Sequence, residues 1–433
     1  MSSARSQLRL LITAMLLCAC ASVAASTQEQ IRNWFEQART AAEADDPEAM
    51  LEPVNKILEQ RPGEPRALYL LAQTRARQGE QQAALVLLQR LAAMGLILDP
   101  AEDSAFDTLS GTAELAGVSA RFRDNGAPRG RAVHGFKHND RRFLPHGIAY
   151  DFNSRQFFIG SVHRRQIITA GRGREDSAGF VSPGAFGLHA VMGMQAESSR
   201  RLLWVASPAV PAMQGYDSDL AGHSALFAFD LDSGRIKKRL PAPEDQQTHQ
   251  YVDVAVAGRG RLFVADSAAG QIYEINRING DAAALLEPGR VSRPLGLELN
   301  EDETQLYFAD YDSGLYALAL ESGELRRIAT AESVNLYGIV DLSRDGDQFI
   351  AVQTGHPPQR ILRFSPDPET GRVEQVEVLL ANDERLQWPS GGTVVSGSYY
   401  LIANAHHELR GDRQRTTRDA ELTWPLVLRI PLD

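Results

Sequence analysis

The sequence of 433 residues is almost free of cysteine, since its two cysteines, Cys18 and Cys20, both lie at the amino-terminal end. If the leader described below is removed, the rest of the chain has no cysteine, and it therefore forms no disulfide and offers no thiol nucleophile. The chain also lacks a run of lysine and arginine, and its formal net charge is −10. Electrostatic binding of nucleic acid or of an anionic membrane is therefore not expected.

Several common catalytic motifs are missing as well. The sequence has no Gly-x-Ser-x-Gly elbow, no glycine-rich phosphate loop, no His-Glu-x-x-His motif and no paired cysteines for a metal. These absences argue against a hydrolase with a nucleophile elbow, a P-loop nucleotide enzyme and a zincin-type metalloprotease. These absences do not exclude a catalytic triad assembled from residues far apart in the sequence, and no motif identifies catalytic residues.

Residues 1–25 have the composition of an export signal. Arginines precede an apolar run over residues 10–20, which is too short to span a membrane as a mature helix. Small residues around Ala24 and Ala25 fit a cleavage site, which predicts a soluble periplasmic protein. The alternative is a lipobox that ends at Cys20, although Cys18 is an unusual residue at its second position. Export is expected in both cases, and lipidation of Cys20 is the one route to a membrane.

The strongest positive feature is a repeat between residues 147 and 391. A Gly or Asp followed by a short apolar strand occurs six times at spacings of 42 to 60 residues, and a second apolar strand follows each opening. Each repeat has room for about four short strands, which is typical of a β-propeller. We therefore predict an all-β six-bladed β-propeller over residues 130–433. The openings are Gly147-Ile-Ala-Tyr, Gly193-Met-Gln-Ala, Asp253-Val-Ala-Val, Gly296-Leu-Glu-Leu, Gly338-Ile-Val-Asp and Gly391-Gly-Thr-Val.

The two ends of this region are expected to complete one blade together. Leu426-Val-Leu-Arg-Ile430 supplies a third strand at the end of the chain, and no fourth strand follows it. Arg131-Ala-Val-His-Gly-Phe136 precedes the first opening and is predicted to be the missing outer strand. Closing the ring in this way removes an open sheet edge that would otherwise invite aggregation.

Residues 27–115 are predicted to form an all-α domain, because apolar residues recur at helical spacing. A period of 34 residues is visible, in which Ala38 matches Ala72 and Met50 matches Ala84. This pattern resembles the tetratricopeptide repeat, and the resemblance implies paired helices that hold a protein or peptide in a concave groove. Residues 116–130 are expected to be a polar joint.

Three motifs in the propeller region carry a second resemblance. They are Pro145-His-Gly-Ile-Ala-Tyr-Asp151, Arg261-Leu-Phe-Val-Ala-Asp266 and Arg293-Pro-Leu-Gly-Leu-Glu-Leu-Asn-Glu-Asp302. Residues 130–433 thereby resemble the SMP-30/gluconolactonase/LRE-like family, which is close to strictosidine synthase and to other six-bladed propellers of TolB-like shape. The resemblance is specific for the fold and much less specific for an activity.

The resemblance also implies where a metal would bind. In the family's lactonases, a Glu, an Asn and an Asp directly before the opening residues hold a divalent cation, and a further Asn lines the substrate pocket. Such oxygen ligands suit calcium. Here the corresponding positions are occupied by His146, Val252, Leu295 and Tyr337, so no carboxylate is left. We therefore expect no calcium-type cation at these positions.

Polar residues near one face of the ring remain as candidates for a ligand site. Imidazoles there could bind a borderline metal such as zinc or act as acid and base, or they could simply hydrogen-bond to nearby backbone. The ligand-binding candidates are His146, His163, Asp253, Tyr337, His356, Asn404 and His406, and His407 lies beside them.

Two main functions are compatible with these observations. The first is an exported propeller protein that binds a small ligand or a protein partner at the top face and uses its helical repeats for protein interaction. The alternative, implied by the family resemblance, is a lactone- or ester-cleaving hydrolase with an altered metal site that includes His146. A third possibility is a metal-free lyase or synthase like those of the strictosidine synthase branch.

Overall fold

The computed structural model describes residues 27–171, 174–406 and 422–432. These residues form an amino-terminal helical segment followed by a six-bladed β-propeller. The expected leader, Cys20 within it and His407 lie outside the described residues. Among the described helices, none combines the length and the apolar character needed to cross a bilayer.

The helical segment consists of two helical hairpins and a further helix. Ala38, Met50, Ala72 and Ala84, which belong to the 34-residue period, are all fully buried. The tetratricopeptide assignment itself stays a prediction. The helices are α1 Thr27–Glu43, α2 Pro47–Gln60, α3 Pro65–Arg77, α4 Gln81–Ala93 and α5 Ala113–Asn125, with a 3-10 turn at Ser104–Leu109.

Helix α5 occupies most of the interval 116–130, so the expectation of a polar joint there is wrong. The helix is capped by Thr112, whose Oγ1 accepts a hydrogen bond from the N–H of Leu115 (3.3 Å). Leu115, Val118 and Phe122 are buried at helical spacing together with Ser119, while the charged residues of the helix face outward. The polar composition is therefore that of an amphipathic surface helix, and the joint is confined to the residues that follow Gly126.

The strands of the described residues form six antiparallel sheets, one for each blade. Blade 1 contains β3 Pro145–Asp151, β4 Gln156–Ser161, β5 Ile167–Gly171 and β6 Arg174–Val181; blade 2 contains β7 Met194–Glu197, β8 Leu202–Pro208, β9 Ser224–Asp230 and β10 Ile236–Pro241; blade 3 contains β11 Tyr251–Val256, β12 Leu262–Asp266, β13 Gln271–Ile275 and β14 Ala282–Ala284. Blade 4 contains β15 Pro294–Leu299, β16 Gln305–Asp310, β17 Gly314–Ala319 and β18 Leu325–Arg327; blade 5 contains β19 Ile339–Asp345, β20 Gln348–Gln353, β21 Arg360–Phe364 and β22 Glu377–Ala381; blade 6 contains β23 Gly392–Val395, β24 Ser398–Ile402 and β25 Leu426–Pro431. Two short strands, β1 Arg129–Gly130 and β2 Val133–Lys137, precede the ring and join blades 5 and 6.

The ring is closed as the sequence predicts. Strand β2 pairs antiparallel with β25 and is the outermost strand of blade 6. Strand β1, four residues earlier in the chain, adds a fifth strand to the outer edge of blade 5 by pairing with β22. Strands from both ends of the propeller therefore cover edges that would otherwise be open.

The first strand of each blade is innermost, and its register identifies equivalent positions around the ring. In β11, β15 and β19 the pairing shifts by one residue near the start, which places Asp253, Gly296 and Asp341 at the same position. The opening residue of blade 5 is therefore Asp341, and the choice of Gly338 was wrong by three residues. Gly338 has a left-handed backbone (φ 72°) and belongs to the loop before β19, where it imitates an opening glycine.

Glycine at the opening position allows neighbouring inner strands to approach each other closely. A β-carbon on Gly147 would overlap the carbonyl oxygen of Met192 in the next blade, and one on Gly391 would lie 2.8 Å from the carbonyl oxygen of His146. Because backbone atoms cannot move aside as a flexible side chain can, a larger residue at these positions would disturb the ring.

The helical segment packs on blades 4 and 5. Its contacts with the ring include several hydrogen bonds to backbone carbonyls, which fix its position rather than merely covering apolar surface. These bonds run from Tyr337 Oη to Pro62 (3.1 Å), from Arg327 Nη1 to Gln60 (3.0 Å), from Ile97 N to Pro357 (3.0 Å) and from Asn382 Nδ2 to Asn125 (2.8 Å).

Candidate functional site

A channel of about 760 Å³ runs through the centre of the propeller. The inner strands of all six blades contribute to its wall, from His146 near the start of β3 to Phe152 just beyond its end. Concave sites of this size, with mixed polar and apolar walls, are typical of small-molecule binding. The channel is therefore the candidate functional site.

Three carboxyl groups lie along the channel, on Asp253, Glu298 and Asp341. They belong to the inner strands of blades 3, 4 and 5, and each is partly exposed to the channel but otherwise surrounded by protein. Three acidic side chains of consecutive blades thus meet in one confined space. When they are ionised their charges repel one another strongly, because little bulk water is present to screen them.

Two of these carboxyls connect neighbouring blades. Asp253 Oδ2 accepts a hydrogen bond from the N–H of Leu297 in blade 4 (2.7 Å), and Asp341 Oδ2 accepts one from the N–H of Gly392 in blade 6 (3.0 Å). The acceptor on Asp253 satisfies an N–H that lies at the irregular start of the next inner strand. Gln195 of blade 2 also bonds to the next blade, because its neutral amide oxygen Oε1 accepts a hydrogen bond from the N–H of Val256 at the end of β11 (2.6 Å). The N–H groups in these three bonds therefore need a hydrogen-bond acceptor, which a neutral amide supplies as well as a carboxylate does.

The environment keeps these carboxyls protonated to an unusually high pH. Burial raises the pKa of Asp253 to about 6 and the pKa of Glu298 to about 7. Burial also raises the pKa of Asp341 well above its ordinary value, and the negative charge of Asp253 adds to this effect. The positive charge of Arg344, which also lines the channel, partly opposes the shift of Glu298. Near neutral pH, the three carboxyls together can therefore both donate and accept hydrogen bonds.

A second set of side chains lines the channel where the inner strands begin. Arg293 lies just before β15, and its guanidinium stands over the ring of Tyr311, with its central carbon 4.1 Å from the ring centroid. Trp388, which precedes β23, and His146 of β3 line the same part of the channel. This end therefore offers aromatic and cationic surfaces, whereas the acidic groups lie on the strands themselves.

The structure brings only some of the sequence-predicted residues together. His146 and Asp253 line the channel, and so do the apolar side chains of Val252 and Leu295. Tyr337 does not line it, because the corrected register puts Val340 at the position before the opening residue of blade 5. Tyr337 instead bonds to the helical segment through its hydroxyl group.

The remaining predicted residues have local partners away from the channel. His356 lies against the helical segment, and burial lowers its pKa to about 4. The loops that carry these predicted residues share one face of the ring, but their side chains do not converge. His163 Nδ1 lies 2.9 Å from the Ala212 carbonyl oxygen, His406 Nε2 lies 3.1 Å from Thr423 Oγ1, and Asn404 bonds to Thr423, Trp424 and Leu426.

Glu298 and Asp341 were missed by the sequence analysis. Asp341 is hidden in the sequence because Gly338, three residues earlier, resembles the opening glycine of the other blades. Glu298 had a visible signal, because it is the one acidic residue inside the apolar strand Pro294–Leu299. A charged residue within an otherwise apolar inner strand is uncommon without a partner or a function.

Within the described part of the chain, no group of three or more His, Cys, Asp or Glu side chains is arranged to hold a metal ion.

Comparison with known proteins shows a similarity of fold. No protein-family model and no curated protein sequence matches this chain. Similar solved structures include regucalcin, a calcium-binding protein from Agrobacterium tumefaciens (14% identity, covering 69% of this chain and 93% of that chain, TM-score 0.48). They also include a gluconolactonase from Xanthomonas campestris (13%, 71% and 99%, TM-score 0.47) and a luciferin-regenerating enzyme (12%, 70% and 95%, TM-score 0.48). The strand pairing of the chain itself shows a six-bladed β-propeller, its solved neighbours include gluconolactonase and regucalcin, and at these identities the similarity concerns the fold alone.

Proposed function

We propose that this chain is an exported binding protein that takes a small polar molecule of neutral or positive charge in the propeller channel. The observation that carries the proposal is the channel of about 760 Å³ with the carboxyl groups of Asp253, Glu298 and Asp341 in its wall. Export is supported by the composition of residues 1–25.

The carboxyl-lined part of the channel decides which class of ligand binds there, because Arg293 is already paired with Asp312 (3.2 Å) and the charge of Arg344 acts on Glu298. A bound anion would add negative charge beside the three carboxyls, which already repel one another. A hydroxylated neutral molecule can accept hydrogen bonds from the protonated carboxyls and donate to the ionised ones. A cationic amine would favour the ionised forms, so that its binding would release protons. The aromatic rings of Tyr311 and Trp388 offer flat surfaces for the less polar face of such a ligand.

The helical segment supports a second part of the proposal, which is binding of a protein partner. Helices α1 and α3 form an apolar groove of about 520 Å³ with residues 96–98 and the blade-5 loop at Pro357. Phe35, Tyr69 and Leu70 are among the residues that line it. An apolar groove between helices suits a peptide that presents apolar side chains at regular intervals.

The channel proposal is tested by ligand binding to variants that keep the hydrogen bonds and remove the charge. Polyols, primary amines and carboxylic acids would be compared by isothermal titration calorimetry with the full chain and with Glu298→Gln and Asp253→Asn. We expect neutral or cationic ligands to bind, with affinity reduced about tenfold in each variant, which equals about 1.4 kcal/mol.

The matched control is Asp302→Asn, which removes the same charge from an exposed turn between β15 and β16. This variant should bind like the unmodified chain. A preference for carboxylic acids, or equal affinities in the channel variants and the control, would contradict the proposal.

A second candidate function is metal-free acid–base hydrolysis of a lactone or ester. The observation in its favour is that burial raises the pKa of Asp253 to about 6 and that of Glu298 to about 7, which suits proton transfer near neutral pH. Hydrolysis would be followed with a chelator present, and Glu298→Gln should reduce kcat at least about a hundredfold. Turnover that survives in this variant, or no turnover of any lactone or ester, would reject this candidate.

A further inference from the structure

A pair of arginines lies where the helical segment meets blade 5, away from the channel. In β21 and β22, Arg360 is paired with Ala381, and on the other side of β22 Arg129 of β1 is paired with the same alanine. Directly paired residues of antiparallel strands point to the same face of a sheet. The two arginines therefore flank the small side chain of Ala381 on one face of blade 5.

Arg360 is buried, with 3% of its surface exposed, and its hydrogen-bond partners are all neutral. Its Nη1 donates to the carbonyl oxygens of Met94 (2.9 Å) and Gly95 (3.3 Å), and its Nε donates to Gln353 Oε1 (2.6 Å). Its Nη2 is buried and has no partner. A buried guanidinium thus keeps one donor group unsatisfied and its charge uncompensated, which is costly.

The charge of the pair is not neutralised by a carboxylate. Among the described residues, neither Arg129 nor Arg360 takes part in an ion pair. Burial, and then the positive charge of Arg129, lower the pKa of Arg360 to about 10. The two like charges repel each other, and an anion bound between them would remove this repulsion.

A crevice of about 240 Å³ adjoins this pair. Arg129, Arg360 and Ala381 line it together with Gly95 of the helical segment, and Ser333 and Gln375 contribute polar side chains. Because a water molecule takes up about 30 Å³ in the liquid, the crevice has room for a small ion and part of a larger ligand.

Gly95 shows that the chain is adapted to the position of the guanidinium. This residue has a left-handed backbone (φ 76°), and a β-carbon on it would overlap Nη1 of Arg360. The absence of a side chain lets two consecutive carbonyl groups reach the guanidinium from one side. These contacts account for Nη1, but they leave Nη2 and the nearby charge of Arg129 without a role.

We propose that this crevice binds an oxyanion, either inorganic phosphate or the phosphate or carboxylate group of a larger ligand, between Arg129 and Arg360. Guanidinium groups bind such planar or tetrahedral oxyanions through charge-assisted hydrogen bonds. The anion supplies the negative charge that the pair lacks, and a bond to the buried Arg360 Nη2 forms when the guanidinium turns towards the crevice. Since Arg360 also holds the carbonyls of Met94 and Gly95, the bound anion stabilises the docking of the helical segment on the ring.

The test uses the full chain with inorganic phosphate and acetate as probes, at an ionic strength held constant with sodium chloride. Phosphate binding would be measured by isothermal titration calorimetry, and Tm by differential scanning calorimetry. We expect saturable binding of phosphate with a Kd of about 1 mM or tighter and a Tm that rises with its concentration. Acetate in place of phosphate distinguishes a site for carboxylates from one for phosphates.

Arg129→Gln is the informative variant, because Arg129 is exposed and its strand pairing uses backbone atoms only. This variant should bind phosphate at least about tenfold more weakly, which equals about 1.4 kcal/mol. Arg131→Gln changes a second exposed arginine of the same segment and should bind normally. Ala381→Leu, which fills the space between the two guanidiniums, should also reduce the affinity.

The proposal is overturned if neither phosphate nor acetate binds, if Arg129→Gln and Arg131→Gln reduce the affinity equally, or if chloride alone raises Tm as much as phosphate does. The channel variant Glu298→Gln should leave phosphate binding unchanged. Failure of the channel proposal would therefore leave this one standing, and the reverse also holds.

Discussion

Replacing Glu298 by glutamine should stabilise the protein above neutral pH and have little effect in acid. Burial beside the channel raises the pKa of Glu298 from its ordinary value of 4.5 to about 7. The folded state therefore holds this proton more tightly than the unfolded state does. As the pH rises from 4.5 towards 7, the unfolded state loses the proton first, and the free energy of unfolding decreases until the deficit is complete above this range.

The size of the effect follows from the shift. At 1.36 kcal/mol for each pKa unit, full burial would correspond to about 3 kcal/mol. Water in the channel reaches this carboxyl and reduces the penalty, so we expect about 1–2 kcal/mol. Glutamine keeps an oxygen that accepts from the N–H of Leu299, now 3.0 Å from Glu298 Oε1, and it carries no charge. The variant should therefore gain this amount at about pH 8 and almost nothing at about pH 4.5.

Equilibrium unfolding in urea, followed by circular dichroism at both pH values, measures the difference directly. Asp302→Asn is again the control, because this carboxylate is exposed and hydrogen bonds from the hydroxyl and the N–H of Thr304 (2.6 and 3.1 Å) lower its pKa instead of raising it. The reasoning is refuted if Glu298→Gln is less stable than the unmodified chain at about pH 8, or if its gain is the same at both pH values.

Three further predictions concern the framework. Gly147→Ala should lower the free energy of unfolding by about 2–4 kcal/mol, because the added β-carbon would overlap the Met192 carbonyl oxygen. Gly179→Ala is the control, since no atom lies within 4 Å of its added β-carbon, and its Tm should stay nearly unchanged. Equal Tm values for the two variants would contradict the close approach of the blades. Phe308→Ala should lower the free energy of unfolding in urea by about 3–5 kcal/mol, because the ring of Phe308 is completely buried. Phe152→Ala is the control, since Phe152 is 62% exposed, and it should change this free energy by less than about 0.5 kcal/mol. Asn382→Ala removes hydrogen bonds to the carbonyls of Asn125 (2.8 Å) and Ala127 (3.0 Å). Amide hydrogen exchange in α5 should therefore become faster, while exchange in blade 2 stays the same. An unchanged exchange rate in α5 would show that these bonds do not hold the helix.

The fold was largely predictable because each blade repeats the same local pattern. Apolar second strands such as Gln305–Asp310 are buried in every copy, and the burial of these strands requires a neighbouring blade on each side. Helix α5 was misread for a physical reason, since most positions of an amphipathic surface helix are polar and only Leu115, Val118, Ser119 and Phe122 are buried.

The candidate site was less predictable, because strand order gives the face on which a residue lies but not its distance from the axis. His163 and His406 belong to loops of the expected kind, yet they bond to the Ala212 carbonyl and to Thr423. Asp253 was found because it replaces glycine at an opening position. The pairing of Arg129 with Arg360 across Ala381 depends on an added strand in blade 5, and nothing local in the sequence indicates it.

The short stretch of β1 and β2 has a consequence for the order in which the protein assembles. Within residues 129–137 the chain passes from the edge of blade 5 to the edge of blade 6, and Arg385 Nη2 holds the intervening Ala132 carbonyl (3.0 Å). The boundary between these blades is therefore bridged by the backbone itself. Because β2 needs β25 as its partner, this bridge is completed only when β25 is present. The helices can form earlier during synthesis, but the ring that anchors them closes only after β25 has been made.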